Sequence, residues 1–217
     1  MIGLHPNRAN IKYVVKTGTK VEDLCSKIAG ELIEQRISVK KTVIFCRTVN
    51  KCAQIFSLLM KALGPNITEP PRLPVDVLKF RLVDNFTAGS LKEVREAIVH
   101  EFCQQETKLH VIIATSAFGL GIDCPDIARV INWEPPNLLE DLVQESGRAG
   151  RNGDPAEAIL YYRNPGKNIT KEMQQYGLNT RTCRRSLLFK NFLFGETLST
   201  PIKADQCCDL CALVNSQ

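Results

Sequence analysis

Short, nearly continuous apolar runs alternate along this chain with longer stretches in which apolar positions recur every three or four residues. Six runs read as strands: "KYVV" at 12–15, "TVIFC" at 42–46, "RLVDNF" at 81–86, "HVIIAT" at 110–115, "ARVINW" at 128–133 and "EAILYYR" at 157–163. Several lack polar alternation, which predicts strands buried on both faces. Between them the spacing predicts helices over 20–36, 49–63, 90–104 and 137–147. The third opens on Ser90 with Glu93 three residues on, the pattern of a capping box, and its Leu91, Val94, Ile98 and Phe102 fall on one stripe. Asn137 and Glu140 give the fourth a similar start. Strand–helix alternation of this kind predicts an α/β sandwich around a mostly parallel sheet. The proline-rich stretch "GPNITEPPRLPVD" (64–76) reads as a loop.

After about Asn164 the pattern changes to helices near 168–177 and 180–193, followed by a cysteine-rich end. A segment that short cannot bury a self-sufficient core, so it needs a staple. Two domains are expected, 1–164 and 165–217. The composition, 44% hydrophobic and 24% charged, is that of an ordinary globular protein, and no apolar stretch is long enough to cross a membrane. Nine cysteines without a secretory signal point to reduced thiols or metal ligands and an intracellular setting. Cys25, Cys46, Cys52, Cys103 and Cys124 lie in apolar surroundings and read as small core residues, as does Trp133 at a strand end. Net charge is +5, concentrated in a window with Arg163, Lys167, Lys171, Arg181, Arg184, Arg185 and Lys190 against Glu172 alone. Such a window either attracts a polyanion or forms a solvated helix face.

Three strand-edge motifs carry candidate chemistry. "QESGRAGRNG" (144–153) sets Arg148 and Arg151 among Gly147, Gly150 and Gly153. Arginine recognises phosphate bidentately, and glycine allows close backbone approach. "VIIATSAFGLGIDCPDI" (111–127) runs a buried strand into Thr115, Gly119, Gly121 and Asp123, predicting polar groups at the carboxyl edge of the sheet. "TVIFCRTVNK" (42–51) ends a strand at Arg47 and Thr48. In the tail, Cys183, Cys207, Cys208 and Cys211 suit a closed tetrahedral Zn²⁺ site, with Asp205 as the alternative to Cys207 because two adjacent ligands are awkward.

"TVIFCRT", "VIIATSAFGLGIDCPDI" and "QESGRAGRNG" resemble motifs IV, V and VI of superfamily 2 helicases. With "RTCRR" and the terminal "CCDLC", the chain resembles the RecQ DNA helicases over nearly its whole length, and its tail is most similar to the Werner-type members. The resemblance implies a RecA-like three-layer sandwich, the second of the motor's two RecA-like domains, followed by a small helical zinc-binding subdomain. It implies that Arg148 and Arg151 reach the ATP γ-phosphate, Arg151 as arginine finger, and that Gln144 senses nucleotide. Asp123, Gly121 and Gly147 would line the nucleotide side, while Arg47, Thr48, Thr115 and Gly119 would line the single-strand track. The implied activity is ATP-dependent 3′–5′ unwinding of single-stranded and forked DNA, in the nucleus if the source is eukaryotic. The chain departs from the pattern at "FTAGS" (86–90), where many relatives carry histidine-alanine-glycine. It also contains neither a G-x-x-x-x-G-K-[ST] loop nor a D-E-x-H box. ATP and Mg²⁺ are therefore expected only together with a first RecA-like domain, and the chain alone is expected to be inactive. Two rival readings are a non-catalytic DNA-binding or regulatory module and a zinc-stapled interaction domain with no DNA role.

Overall fold

The structure, a computed structural model, describes residues 7–116, 123–163, 165–190 and 202–214. Six strands form one sheet: β1 (Ile11–Lys16), β2 (Thr42–Cys46), β3 (Val83–Phe86), β4 (Val111–Ala114), β5 (Arg129–Trp133) and β6 (Ala156–Tyr161). Their order is β1-β6-β5-β2-β4-β3 and every pairing is parallel. All six predicted runs are strands. β2, β4 and β5 are buried along their whole length, which is why their sequences show no polar alternation.

Parallel neighbours need crossovers, and the helical stretches supply them. They are α1 (Val21–Gln35), α2 (Val49–Leu63), α3 (Lys92–Phe102) and α4 (Leu139–Ser146). Alternate side chains of the strands feed two cores. Ile44, Val111, Ile113, Ile131, Trp133 and Ile159 pack with the apolar faces of α1 and α2. Val43, Phe45, Ile112, Val130 and Leu160 pack on the opposite face with Ile98, Phe102, Leu142 and Val143. The result is the three-layer sandwich, and Trp133 lies fully buried within it.

The tail adds α5 (Lys171–Leu178), α6 (Arg184–Phe189), α7 (Ala204–Cys207) and α8 (Asp209–Val214). Its Met173, Tyr176, Leu188, Phe189, Cys207 and Cys208 join the same buried cluster as Ile11 and Tyr13 of β1. Cys208 bridges to Tyr13, and the Val15 amide donates to Asp209 Oδ2 at 3.2 Å. The open edge of the sheet at β1 is thereby covered.

Some local expectations are corrected. Ser90 does not cap α3: the helix begins after Leu91, and the Ser90 hydroxyl lies 3.3 Å from Thr87 Oγ1 in a turn of its own. Only Ile98 and Phe102 of the predicted stripe are buried, whereas Leu91 and Val94 are exposed. Asn137 does not cap α4, whose N-cap is Leu138. Cys103 and Cys124 are not separate core thiols but are joined by a disulfide, while Cys25, Cys46 and Cys52 are buried and free. The stretch 64–76, read as a loop, is held in place by Arg36, whose Nε donates to Glu69 Oε2 at 2.6 Å and whose Nη1 donates to the Asn66 carbonyl at 3.0 Å.

Candidate functional site: an arginine loop, a polar cleft and a cysteine cluster

The arginine loop leaves the C-terminus of α4 and leads into β6. Arg148 is buried, whereas Arg151 is 34% exposed along its side chain and donates from Nη1 to Asp123 Oδ1 at 2.7 Å. Burial pushes the Arg148 guanidinium down from its usual range, the charge of Arg151 adds to this, and Glu145 opposes it. Gly150 has φ +59°, and a Cβ there would lie 2.5 Å from Asn10 Nδ2 and 2.9 Å from Ala156 Cβ. The close approach that this glycine permits is to the chain's own N-terminal segment. That segment grips the loop. Arg8 Nη2 donates to the carbonyls of Gly147 and Ala149, the latter at 2.7 Å, and Asn10 Nδ2 donates to those of Gly150 and Asp154 at 2.8 and 2.7 Å. On the other side the Gly150 and Asn152 amides donate to the carbonyls of Ile127 and Pro125.

Asp123 pairs with Arg151 of the loop. Thr115 follows β4 at the carboxyl edge of the sheet, while Asp123 belongs to the segment that enters β5. Gly119 and Gly121 lie outside the described residues. Gln144 is exposed on α4, one residue from a buried neighbour, Glu145.

At the carboxyl ends of β2 and β5 a cleft of about 260 Å³ is lined by Arg47, Thr48, Ser116, Asn132, Asn137 and Glu145, among others. Arg47 is exposed and reaches Asn137 Oδ1 at 3.4 Å, and its guanidinium lies where a Cβ on Gly166 would fall, so a larger residue there would displace the Arg47 side chain. The Thr48 hydroxyl accepts from the Lys51 amide at 3.2 Å and caps α2. Asn132 Nδ2 donates to Glu145 Oε2. Burial pushes the Glu145 carboxyl up to about 7; the Asn132 hydrogen bond opposes the rise, Asp141 adds to it and Arg148 opposes it. Sequence reasoning missed Glu145, although it stands inside the motif that drew attention to the arginines. One helix, α4, thus carries Glu145 toward the cleft and ends in the arginine loop.

In the tail, the sulfurs of Cys183, Cys207, Cys208 and Cys211 all lie within 4.8 Å of one another. Cys183 and Cys207 are 3.6 Å apart. Metal–sulfur bonds of about 2.3 Å in a tetrahedron place sulfurs about 3.8 Å apart, so four thiolates here fit one metal ion. Cys183 is the N-cap of α6 rather than a residue within a helix. Burial pushes its thiol up, but hydrogen bonds from the Ser186 backbone and hydroxyl, and from Cys211 and Cys207, outweigh this and bring it to about 7. The extended backbone at Cys208, between α7 and α8, lets both adjacent cysteines contribute, and the exposed Asp205 is not in the group.

Three of the window's seven basic residues are spent on folding, while Lys167, Lys171, Arg181 and Lys190 are exposed. Arg184 is 4% exposed; it forks onto Asp209 at 2.9 and 3.1 Å and donates to the carbonyls of Tyr176 and Asn179. Arg185 is buried over the Tyr13 ring, and Arg163 lies over Trp133 while donating to the Thr19 carbonyl. These three are structural clamps.

The all-parallel sheet, covered by helices on both faces and edged by an arginine loop, is a RecA-like α/β sandwich. Residues 19–153 match the helicase conserved C-terminal domain family, to which the chain belongs. Within it the chain is a C-terminal domain of the RecQ type. It is 33% identical over 220 residues to a putative ATP-dependent DNA helicase Q1 of Caenorhabditis briggsae, covering 94% of this chain and 32% of that protein. The ATP-dependent DNA helicase Q1 of Rattus norvegicus is 31% identical over 86% of this chain and 29% of its own length. RecQ of Pasteurella multocida is 28% identical over 94% and 31%. The chain thus spans about a third of the length of these relatives. Among solved structures, the C-terminal domain of the DEAD-box protein Dbp5 matches with a TM-score of 0.53 at 19% identity, over 78% of this chain and 86% of that one. The Mycobacterium smegmatis helicase Lhr matches at 0.57 and 16%, over 90% and 23%. Both support the fold.

Proposed function

We propose that this chain is the second half of the motor of a RecQ-like, ATP-dependent 3′–5′ DNA helicase. Its arginine loop meets the γ-phosphate of ATP bound, with Mg²⁺, by a first RecA-like domain. Arg151 is the arginine finger, Arg148 and Gln144 assist it, and Asp123 with Gly121 and Gly147 completes the nucleotide side. Residues Arg47, Thr48, Thr115 and Gly119 follow the backbone of single-stranded or forked DNA. The observation that carries this reading is the contrast within the loop. Arg148 is buried against the fold, while Arg151 is held at the surface by an exposed carboxylate that an incoming anion can replace. Phosphoryl transfer spreads charge over equatorial oxygens, and a planar guanidinium fits that charge.

The cysteine cluster, on this reading, holds Zn²⁺, whose binding energy folds the tail. Residues 1–164 act as the motor domain and 165–217 as the zinc subdomain. The chain alone neither binds ATP tightly nor hydrolyses it, since its sequence carries no G-x-x-x-x-G-K-[ST] loop to cradle the phosphates. The test is turnover of the chain alone against turnover after it is joined to a P-loop domain of its own family. DNA-stimulated hydrolysis in the joined protein and none in the chain alone is the expected result. Hydrolysis by the chain alone, or a joined protein indifferent to DNA, would refute the proposal.

A further inference from the structure

The segment before β1 makes contacts that neither the helicase motifs nor the cysteine cluster accounts for. Arg8 spans the carbonyls of Gly147 and Ala149, which bracket Arg148. Asn10 spans those of Gly150 and Asp154, which bracket Arg151. One side chain thus fixes the backbone on either side of each arginine. The Ala156 amide donates to the Asn10 carbonyl at 2.9 Å, so the segment is also held at the entry to β6. Behind it lies Arg185, which donates to Asn7 Oδ1 at 2.5 Å, to the Arg8 carbonyl at 2.8 Å and to the Ile11 carbonyl. Arg185 stands two residues after Cys183, in the helix that its neighbour Arg184 ties to Asp209, between Cys208 and Cys211.

We propose that Arg8 and Asn10 are positioning residues of the arginine loop, and that Arg185 sets their place from the helix that Cys183 begins. The physical need is clear in the loop's composition. Gly147, Gly150 and Gly153 leave its backbone with little intrinsic preference, and φ is positive at the last two. Carbonyls gripped in pairs by a guanidinium and an amide remove that freedom, and hydrogen bonds to a charged donor are the stronger kind. Burial pushes the Arg8 guanidinium down, and the nearby charge of Arg151 adds to this. The consequence for catalysis rests on the arginine-finger reading; the positioning itself does not.

The test uses the whole 217-residue chain with zinc added and no nucleotide, reading backbone amide exchange and the Arg151 Nε resonance by NMR. Asn10→Asp keeps the side chain's shape but turns its donor into an acceptor facing two carbonyls. The amides of Gly150, Asn152 and Gly153 should then exchange about tenfold faster, the scale of one lost hydrogen bond. The Arg151 resonance should move, while amides of β2, β4 and β5 keep their rates. Arg8→Ala should do the same, and Arg8→Lys should recover part of the loss. Chelating the metal with EDTA should speed exchange at 147–154 as well as in the tail. Unchanged exchange at 147–154 in both Asn10→Asp and Arg8→Ala would overturn the proposal. So would acceleration spread evenly over the whole sheet, which is loss of fold rather than of position. If EDTA affects the tail alone, the role given to Arg185 is wrong. Because no ATP is present, a failure of the finger reading shows only in turnover and leaves these outcomes interpretable.

Discussion

Glu145 shows at the scale of a single residue how the site constrains the fold. The residue is 9% exposed, and its carboxyl accepts from Asn132 and is pushed up to about 7, far above the value of a free glutamate. A raised carboxyl favours the protonated folded state. That stability is fully present below the unfolded pKa and is lost as pH rises through about 7. Between pH 5 and pH 8 the protein should lose roughly 2 kcal/mol of unfolding free energy through this group. Urea titrations across that range should show the slope in the wild type and a much flatter profile in Glu145→Gln; equal slopes would contradict the assignment. What was legible at this scale was residue type. Four tail cysteines read as one group from the sequence, and their sulfurs do gather in one place. Contacts between distant segments were not legible. Nothing in "PNRAN" shows that Arg8 and Asn10 will meet a loop some 140 residues away, and nothing near Arg184 and Arg185 shows that both will be buried.

At the scale of the element, two links decide whether parts of the fold stay in place. Cys103, at the C-terminus of α3, is bonded to Cys124, which immediately follows Asp123. Closing that loop should stabilise the protein by about 3 kcal/mol relative to the open chain. Denaturation with and without a dithiol reductant should reveal a difference of that order, and Cys103→Ala/Cys124→Ala should abolish it. Identical midpoints in both conditions would contradict the link. In the tail, Arg184→Glu sets a carboxylate against Asp209 inside a buried pair. It should cost about 3–5 kcal/mol and make 165–217 protease-sensitive, rather than report on DNA. A folded Arg184→Glu tail with altered DNA affinity would reverse that view. Strands and crossover helices were readable because burial on both faces leaves continuous apolar runs, and helical stripes keep their period. The start of α3 was not, since the Ser90 hydroxyl turned to Thr87 instead of the helix. The disulfide was not either, because spacing along the chain does not show which core cysteines meet.

For the whole molecule, the sheet separates two faces of one device. Arg47 and its cleft stand at the carboxyl ends of β2 and β5, Arg151 and Asp123 stand by the segments entering β5 and β6, and α4 joins them. On the proposed function, α4 would carry nucleotide occupancy at Arg151 to DNA at Arg47. Among the described residues no helix is long and apolar enough to cross a membrane. With Arg163, Arg184 and Arg185 committed to the fold, the window can offer a phosphate backbone only Lys167, Lys171, Arg181 and Lys190, which are exposed, beside Arg47. DNA affinity should fall with rising salt on a slope that Arg47→Ala makes shallower. The central claim is that Arg151 acts on the transferring phosphoryl group. Its most direct test is DNA-stimulated ATP turnover in the chain joined to a P-loop domain of its own family, comparing wild type with Arg151→Ala and Arg151→Lys. The account expects Arg151→Ala to lose roughly 10³-fold in rate with little change in nucleotide affinity, and lysine to restore little of it, because a point charge lacks the planar fork. Unchanged turnover in Arg151→Ala would make the loop a solvated turn and contradict the account.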